Sequence, residues 1–207
     1  MTPTLKKLVL ASGNPGKLGE IRELLAPLDI EVVSQGELGI GEAAEPHFTF
    51  LENALAKARH ASGASGLPAL ADDSGICVDA LGGEPGVNSA YFAGRQGHRE
   101  ERDVRNNAKL LDALACGPAQ AARSAHYACV MVLVRHPADP QPLVAEGNWS
   151  GVITDRPRGT NGFGYDPLFL LPELGRTAAE LGSAEKNRIS HRGVALNRLL
   201  ARLRQAS

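Results

Sequence analysis

Apolar runs with the character of buried strands alternate along this chain with segments whose apolar residues fall at helical spacing. That alternation, broken once by a long hairpin, restricts the fold to a mixed α/β sheet with helices on its faces. Residues 6–11 (KKLVLA) read as a strand, and Leu18, Ile21, Leu24 and Leu25 then recur every three to four positions. A short strand is expected at Ile30–Val33. Thr49-Phe50-Leu51-Glu52 matches a capping box, which opens a helix to about Ser62 with Leu51, Ala54, Leu55 and Ala58 on its packing side.

LPALADDSGICVDAL reads as a strand ending at Asp72-Asp73, a Ser-Gly turn, and a second strand. Residues 82–97 are glycine-rich enough to be a surface excursion. A polar-faced helix follows from His98 to Ala115, with Val104, Ala108, Leu111 and Leu114 as its apolar positions. AHYACVMVLVRH and LVAEGNWSGVITD are two strands, expected as an antiparallel pair turning at Pro-Ala-Asp-Pro. NGFGYDPLFLL is a loop entering a strand, and helical pieces are expected at Thr177–Lys186 and Ser190–Arg204.

The 207 residues are 43% hydrophobic and carry a net charge of -1, which suits one domain over 1–207 or two intimately joined lobes. Such a balance excludes broad electrostatic binding to nucleic acid, which needs a basic stripe. Neither a membrane-length apolar run nor a cleavable leader is visible, so the expected compartment is the cytoplasm. Cys77, Cys116 and Cys129 lack the paired spacing of a zinc site and read as reduced structural thiols.

Ser12-Gly13-Asn14-Pro15-Gly16-Lys17 joins the first strand to the first helix. It is not a Walker A loop: two residues, not four, separate Gly13 from Gly16-Lys17, and Leu18 follows where Ser or Thr would bind magnesium. A helix N-terminus still favours an anion, and Lys17 adds a point charge, so the loop is either a phosphate site or a tight turn with a solvated lysine. Asp72 and Asp73 are neighbours on a strand and should point to opposite sides. Asp73, nearer the turn and followed by Ser74, is the better catalytic carboxylate, and Glu45 the candidate second magnesium ligand, since Mg²⁺ takes one or two carboxylates plus substrate phosphates. Asn53 and Lys57 share a helix face, from which Lys57 can reach a phosphate; Glu52 belongs to the cap.

GFGYDP sets Phe163, Gly164, Tyr165 and Asp166 where a ring can meet a flat ligand such as a nucleobase. EKNRISHRG groups Lys186, Ser190, His191 and Arg192, donors suited to phosphates and to purine edges. A purine with an oxygen at C6 accepts from such donors, whereas adenine presents an amino group there.

The ordered set SGNPGK, TFLENALAKA, ADDSG, GFGYDP and ISHRG resembles the inosine triphosphate pyrophosphatase family over nearly the whole chain. The resemblance implies a two-lobed α/β structure around a long central sheet with a nucleotide cleft between the lobes. It also implies magnesium-dependent hydrolysis of deaminated purine nucleoside triphosphates (ITP, dITP, XTP) to monophosphate and pyrophosphate, in a homodimer. By the same resemblance Ser12 through Lys17 and Lys57 bind phosphate, Asp73 is general base and metal ligand, and Glu45 is the other metal ligand. Ser74 lies beside the substrate, Phe163 stacks on the base with Gly164, Tyr165 and Asp166 alongside, and Lys186, His191 and Arg192 are the remaining nucleotide contacts. Three positions depart from the motif: Asn161 stands for a glycine, Ala44 leaves Glu45 without an acidic neighbour, and Tyr91-Phe92 replaces Arg-Tyr. Read from the residues, two alternatives stay open: a related pyrophosphatase of other modified nucleotides, and a nucleotide-binding module without turnover.

Overall fold

The computed structural model describes residues 5–26, 30–115 and 123–206. Its strands are β1 (Lys7–Leu10), β2 (Glu31–Ser34), β3 (Ala69–Val78), β4 (Ser124–Val134), β5 (Leu143–Ile153), β6 (Phe169–Leu171) and β7 (Arg176–Thr177). Helices are α1 (Pro15–Leu25), α2 (Phe50–Ser65), α3 (Arg99–Ala115), α4 (Ser183–Ile189) and α5 (His191–Ala206). The seven strands form one mixed sheet in the order β2-β1-β3-β4-β5-β6-β7. β1 runs parallel to β2 and β3, while β5/β6 and β6/β7 are antiparallel. The backbone N–H of Ile153, at the end of β5, donates to Arg123 O just before β4, so these neighbours run antiparallel as expected.

Two compact units emerge: residues 1–73, 129–147 and 191–207 in the first, residues 74–128 and 148–190 in the second. In the first, strand alternation sorts the core into two layers. Leu8, Leu10, Leu70, Cys129, Met131 and Leu133 pack with Ile21 and Leu25 of α1 and with Ala195, Leu196 and Leu199 of α5. Their chain neighbours Val9, Ala11, Ala69, Ala71, Val130, Val132 and Val134 pack with Ala54, Ala58 and Ala61 of α2. Each strand residue serves the face to which the pleat assigns it. In the second unit, Leu110 and Leu114 of α3 pack on Ile76, Val78 and an aromatic group in which Tyr127 and Phe169 meet edge to face at 4.7 Å.

Several expectations are corrected. β3 is continuous through Asp72-Asp73-Ser74-Gly75, with no turn. Gly75 is there for close approach: a side chain on it would collide with Gly86 O and Ser89 Oγ. Residues 82–97 are no free excursion, because Ser89 is buried, its hydroxyl accepts from Ile76 N, and Asn106 of α3 donates to Ser89 O and Ala90 O. α3 buries Asn106, Leu110 and Leu114, whereas Val104 is 70% exposed. Leu51 is exposed, and α2 continues to Ser65 before Gly66 ends it in the left-handed region. Thr49 caps α2 by accepting from Glu52 N, but its hydroxyl donates to the Glu52 carboxylate in place of the reciprocal backbone bond. Thr177 to Lys186 is not one helix: Thr177 ends β7, a 3₁₀ turn covers Ala178–Glu180, and α4 starts after Gly182. Cys77 and Cys129 are free thiols; Cys116 and the Leu24 side chain lie outside what is described.

Candidate active site

Asp72 and Asp73 follow the alternation that sorts the core. Asp72 shares the side of Leu70, where α1 and α5 pack, and its carboxylate takes Lys17 Nζ of α1 at 2.8 Å and Arg192 Nε of α5 at 3.4 Å. Asp73 shares the side of Ala71, where α2 packs, and takes Lys57 Nζ at 2.9 Å and Asn53 Nδ2 at 3.3 Å. Both carboxylates are nearly dry, at 2% and 6% exposure.

The loop before α1 is built by Asn14. Its side-chain oxygen accepts from Gly16 N and Lys17 N, Ser12 Oγ accepts from Asn14 N, and Pro15 occupies the first helical position, where no N–H is needed. Two of the helix-start N–H groups thus already have an acceptor, and the loop's cationic contribution comes from Lys17. On α2, Asn53 and Lys57 stand one turn apart. Lys57 Nζ bridges Glu45 and Asp73 at 2.9 Å each, while Asn53 exchanges two hydrogen bonds with the backbone of His47. Glu45 itself is exposed. On α5, Arg192 is 2% exposed and pairs with Glu20 of α1 as well as with Asp72; His191, also buried, starts the helix.

Charges follow from these contacts. Burial works to raise the Asp72 carboxyl, yet Lys17 and Arg192 hold it well below the usual carboxylate range. Burial pushes Asp73 up against the pull of Lys57 and Lys17, and Glu45 adds to the rise. Lys57 is buried, which disfavours its charge, but three carboxylates, Asp73, Asp72 and Glu45, keep it protonated and raise its pKa. The outcome is one carboxylate locked as a counter-ion and a second that is more basic than an ordinary aspartate.

The second unit carries another group. Phe163 is half-buried, with Arg99 Cζ at 4.5 Å and Lys186 Nζ at 4.8 Å from its ring centroid. Asp166 is the anchor: its carboxylate accepts from Phe163 N at 2.9 Å and from the buried Lys186 Nζ at 2.7 Å. Gly164 is fixed from both sides, its N–H donating to Asp103 and its carbonyl accepting from Asn107 of α3. Tyr165 is a core residue whose hydroxyl donates to Ser89 O at 2.8 Å, so among the expected base-side residues it braces the loop from within. Ser74 opens this unit on β3.

In the first unit, then, Ser12 to Lys17, Glu45 and Lys57, Asp73, and His191 and Arg192 come from four segments separated in sequence. Sequence reasoning set Asn53 on the face of Lys57 without foreseeing its bond to Asp73, and it missed Asp72 and Glu20 as the partners of Lys17 and Arg192; Glu20 had no local signal. Two of the three departures have structural accounts, and nothing in the structure explains Ala44. Asn161 ties its loop down by donating to Leu181 O and Ala179 O, and Tyr91 lies under Arg95 and Arg102, at 4.1 and 5.3 Å from its centroid.

A mixed sheet that presents a capped strand-to-helix loop, two buried aspartates and their lysines on opposite faces defines an α/β protein suited to polyanionic ligands. The chain belongs to the Ham1 family, whose model matches residues 8–202. It is 62% identical over 200 residues to a dITP/XTP pyrophosphatase of Ralstonia nicotianae, covering 97% of this chain and 98% of the relative. A dITP/XTP pyrophosphatase of Nitrosomonas europaea is 62% identical over 199 residues, covering 96% and 95% respectively. Among solved structures, a HAM1 protein from Coxiella burnetii superposes with a TM-score of 0.87 at 47% identity, over 96% of this chain and 98% of that one.

Proposed function

We propose that the chain is a nucleoside triphosphate pyrophosphatase that hydrolyses deaminated purine nucleotides (dITP, XTP and ITP) to the monophosphate and pyrophosphate. Relatives at about 60% identity are named dITP/XTP pyrophosphatase, which supports the first two substrates directly. One structural observation carries the chemistry: a buried Asp73, raised in basicity by burial, held between an ammonium and an amide with a second carboxylate on the same ammonium.

In this reading Asp73 takes a proton from a water whose oxygen forms the new bond to the α-phosphorus, while the bond from that phosphorus to the bridging oxygen breaks and pyrophosphate leaves. Lys57 and Lys17 stabilise charge developing on the phosphate oxygens, which compete with Asp73, Glu45 and Asp72 for the same ammonium groups. Ser12 to Lys17 form the phosphate-side loop, Phe163 offers a stacking face to the purine with Gly164 beside it, and Asp166 and Lys186 fix that ring. His191 and Arg192, at the first turn of α5, are the nitrogen donors suited to an oxygen at C6, and Ser74 lies by the substrate.

Among the described residues no three His, Cys, Asp or Glu side chains converge to cage a metal ion. Glu45 and Asp73, both within 2.9 Å of one ammonium, nevertheless form a hard-oxygen pair, the donor set that Mg²⁺ takes when substrate phosphates and water complete its shell. They would hold it, and when bound it would acidify water and neutralise phosphate charge. The reading includes the whole chain as one pyrophosphatase domain, a homodimer and a cytoplasmic location; among the described residues no helix is long and apolar enough to cross a membrane.

The test is incubation of the purified protein with dITP, XTP, ITP, GTP, ATP and dUTP, with and without Mg²⁺. Monophosphate and pyrophosphate from the first three, only with the cation, are expected. Release of orthophosphate alone, or equal turnover of ATP, overturns the reading.

A further inference from the structure

We infer that Asn53 is a positioning residue that sets the gap between the Glu45 and Asp73 carboxylates, and so the affinity of that pair for a divalent cation. The inference rests on the reading of those two carboxylates given above. Three hydrogen bonds carry it. Asn53 Oδ1 accepts from His47 N at 3.1 Å, and Nδ2 donates both to His47 O at 3.2 Å and to Asp73 Oδ2 at 3.3 Å.

The amide thus clamps the backbone two residues beyond Glu45 and one oxygen of Asp73 at once. Glu45 sits on an exposed stretch that belongs to no helix or strand, so nothing in regular secondary structure holds it at a set distance from β3. Asn53, 2% exposed on a helix whose small residues pack tightly against the sheet, supplies the rigid reference. Its division of Asp73 is also specific: Oδ2 is taken by the amide, which turns Oδ1 to Lys57 and, through Lys57, toward Glu45. Lys57 cannot do this alone, because an ammonium on a flexible stem accepts many arrangements of two carboxylates. A carboxamide with one donor edge and one acceptor edge accepts few. A polar side chain that satisfies both backbone groups of one residue and a carboxylate of another gains its effect from geometry, since the site works only if its carboxylates are held to within a fraction of an ångström.

The experiment uses the full-length protein and MnCl2 as the probe, titrated by calorimetry without nucleotide, beside steady-state kinetics with dITP. Asn53→Ala is expected to weaken Mn²⁺ binding at least tenfold and to lower kcat at least tenfold, while KM for dITP moves less than threefold. Mn²⁺ affinity and kcat both within twofold of wild type, in a folded Asn53→Ala protein, overturn the inference. Should Asn53→Ala not fold, Asn53→Asp keeps the shape and the acceptor for His47 N but has no donor for Asp73. A kcat at least tenfold down with the melting temperature retained supports positioning; an unchanged kcat overturns it. If the wild type turns over no nucleotide, the functional reading fails, while the Mn²⁺ titration still decides the role of Asn53.

Discussion

Asp72 and Asp73 are adjacent on one strand, yet each is held by a lysine of a different helix: Lys17 of α1 at 2.8 Å for Asp72, Lys57 of α2 at 2.9 Å for Asp73. The two aspartates therefore fail differently when changed. Asp73→Asn keeps shape and removes the basic carboxylate, so kcat on dITP is expected to fall about 10²-fold or more, the usual range for loss of a general base, with the fold intact. Asp72→Asn leaves Arg192 and Lys17 short of a buried counter-charge, which costs about 3–5 kcal/mol when a buried pair is broken. Urea denaturation and kinetics on both variants check the contrast, and a fully active Asp73→Asn would refute it.

Acid sensitivity follows from the same pair. Lys17 and Arg192 hold the Asp72 carboxyl below its unfolded value of about 3.9. A depressed folded pKa means that the stability Asp72 contributes is present above the unfolded value and lost as pH falls through the folded one. The urea midpoint of the wild type should therefore drop below about pH 4, and the drop should be shallower in Asp72→Asn. Equal slopes for the two proteins would show that other carboxylates govern acid unfolding.

At Gly147 of β5 the backbone of α5 lies directly against the strand: a side chain there would strike His191 O and Ala195 N. Both are backbone atoms that no rotamer change can move. Gly147→Ala is expected to cost about 1–3 kcal/mol, as overpacking does, and to lower activity by shifting the first turn of α5, which carries Arg192. A melting temperature and kcat equal to wild type would mean that α5 yields without cost.

Phe163→Ala removes the stacking face while leaving Asp166 and Lys186 paired. Base stacking on an aromatic ring is worth about 1–3 kcal/mol, so KM for dITP should rise about fivefold or more with the melting temperature little changed. An unaltered KM would show that the ring serves Arg99 and Lys186 alone.

The Cys129 thiol is pushed up to about 12, by burial first and then by Asp72. At pH 8 only about one thiol in ten thousand would be the reactive thiolate, and the side chain is 1% exposed. Iodoacetamide should leave Cys129 unmodified in the native protein and label it once the chain is unfolded in urea, as read by mass spectrometry.

Local pattern alone determined the element types, the loop before α1, the cap at Thr49 and the opposite orientation of Asp72 and Asp73, because each depends on residues within a turn or a pleat of one another. It failed wherever a local signal had a distant cause. Ser74-Gly75 has turn composition but lies within a strand, since Gly75 is needed to admit the backbone at Gly86. Val104 fits the helical period of α3 but stays in solvent, and Asn106 takes the interior because its carboxamide holds the backbone of residues 89–93. The site shows the same division. Spacing marked Asp73, Lys57 and Lys17 as chemistry-bearing, but that Asp72 would face Arg192, 120 positions away, and that Glu20 would share that arginine, depended on packing α1 and α5 together against one side of β3. The cations brought to each side of β3 then separate the two buried aspartates: Lys17 and Arg192 outweigh burial and hold the Asp72 carboxyl low, whereas burial, helped by Glu45 on the shared Lys57, keeps the Asp73 carboxyl raised.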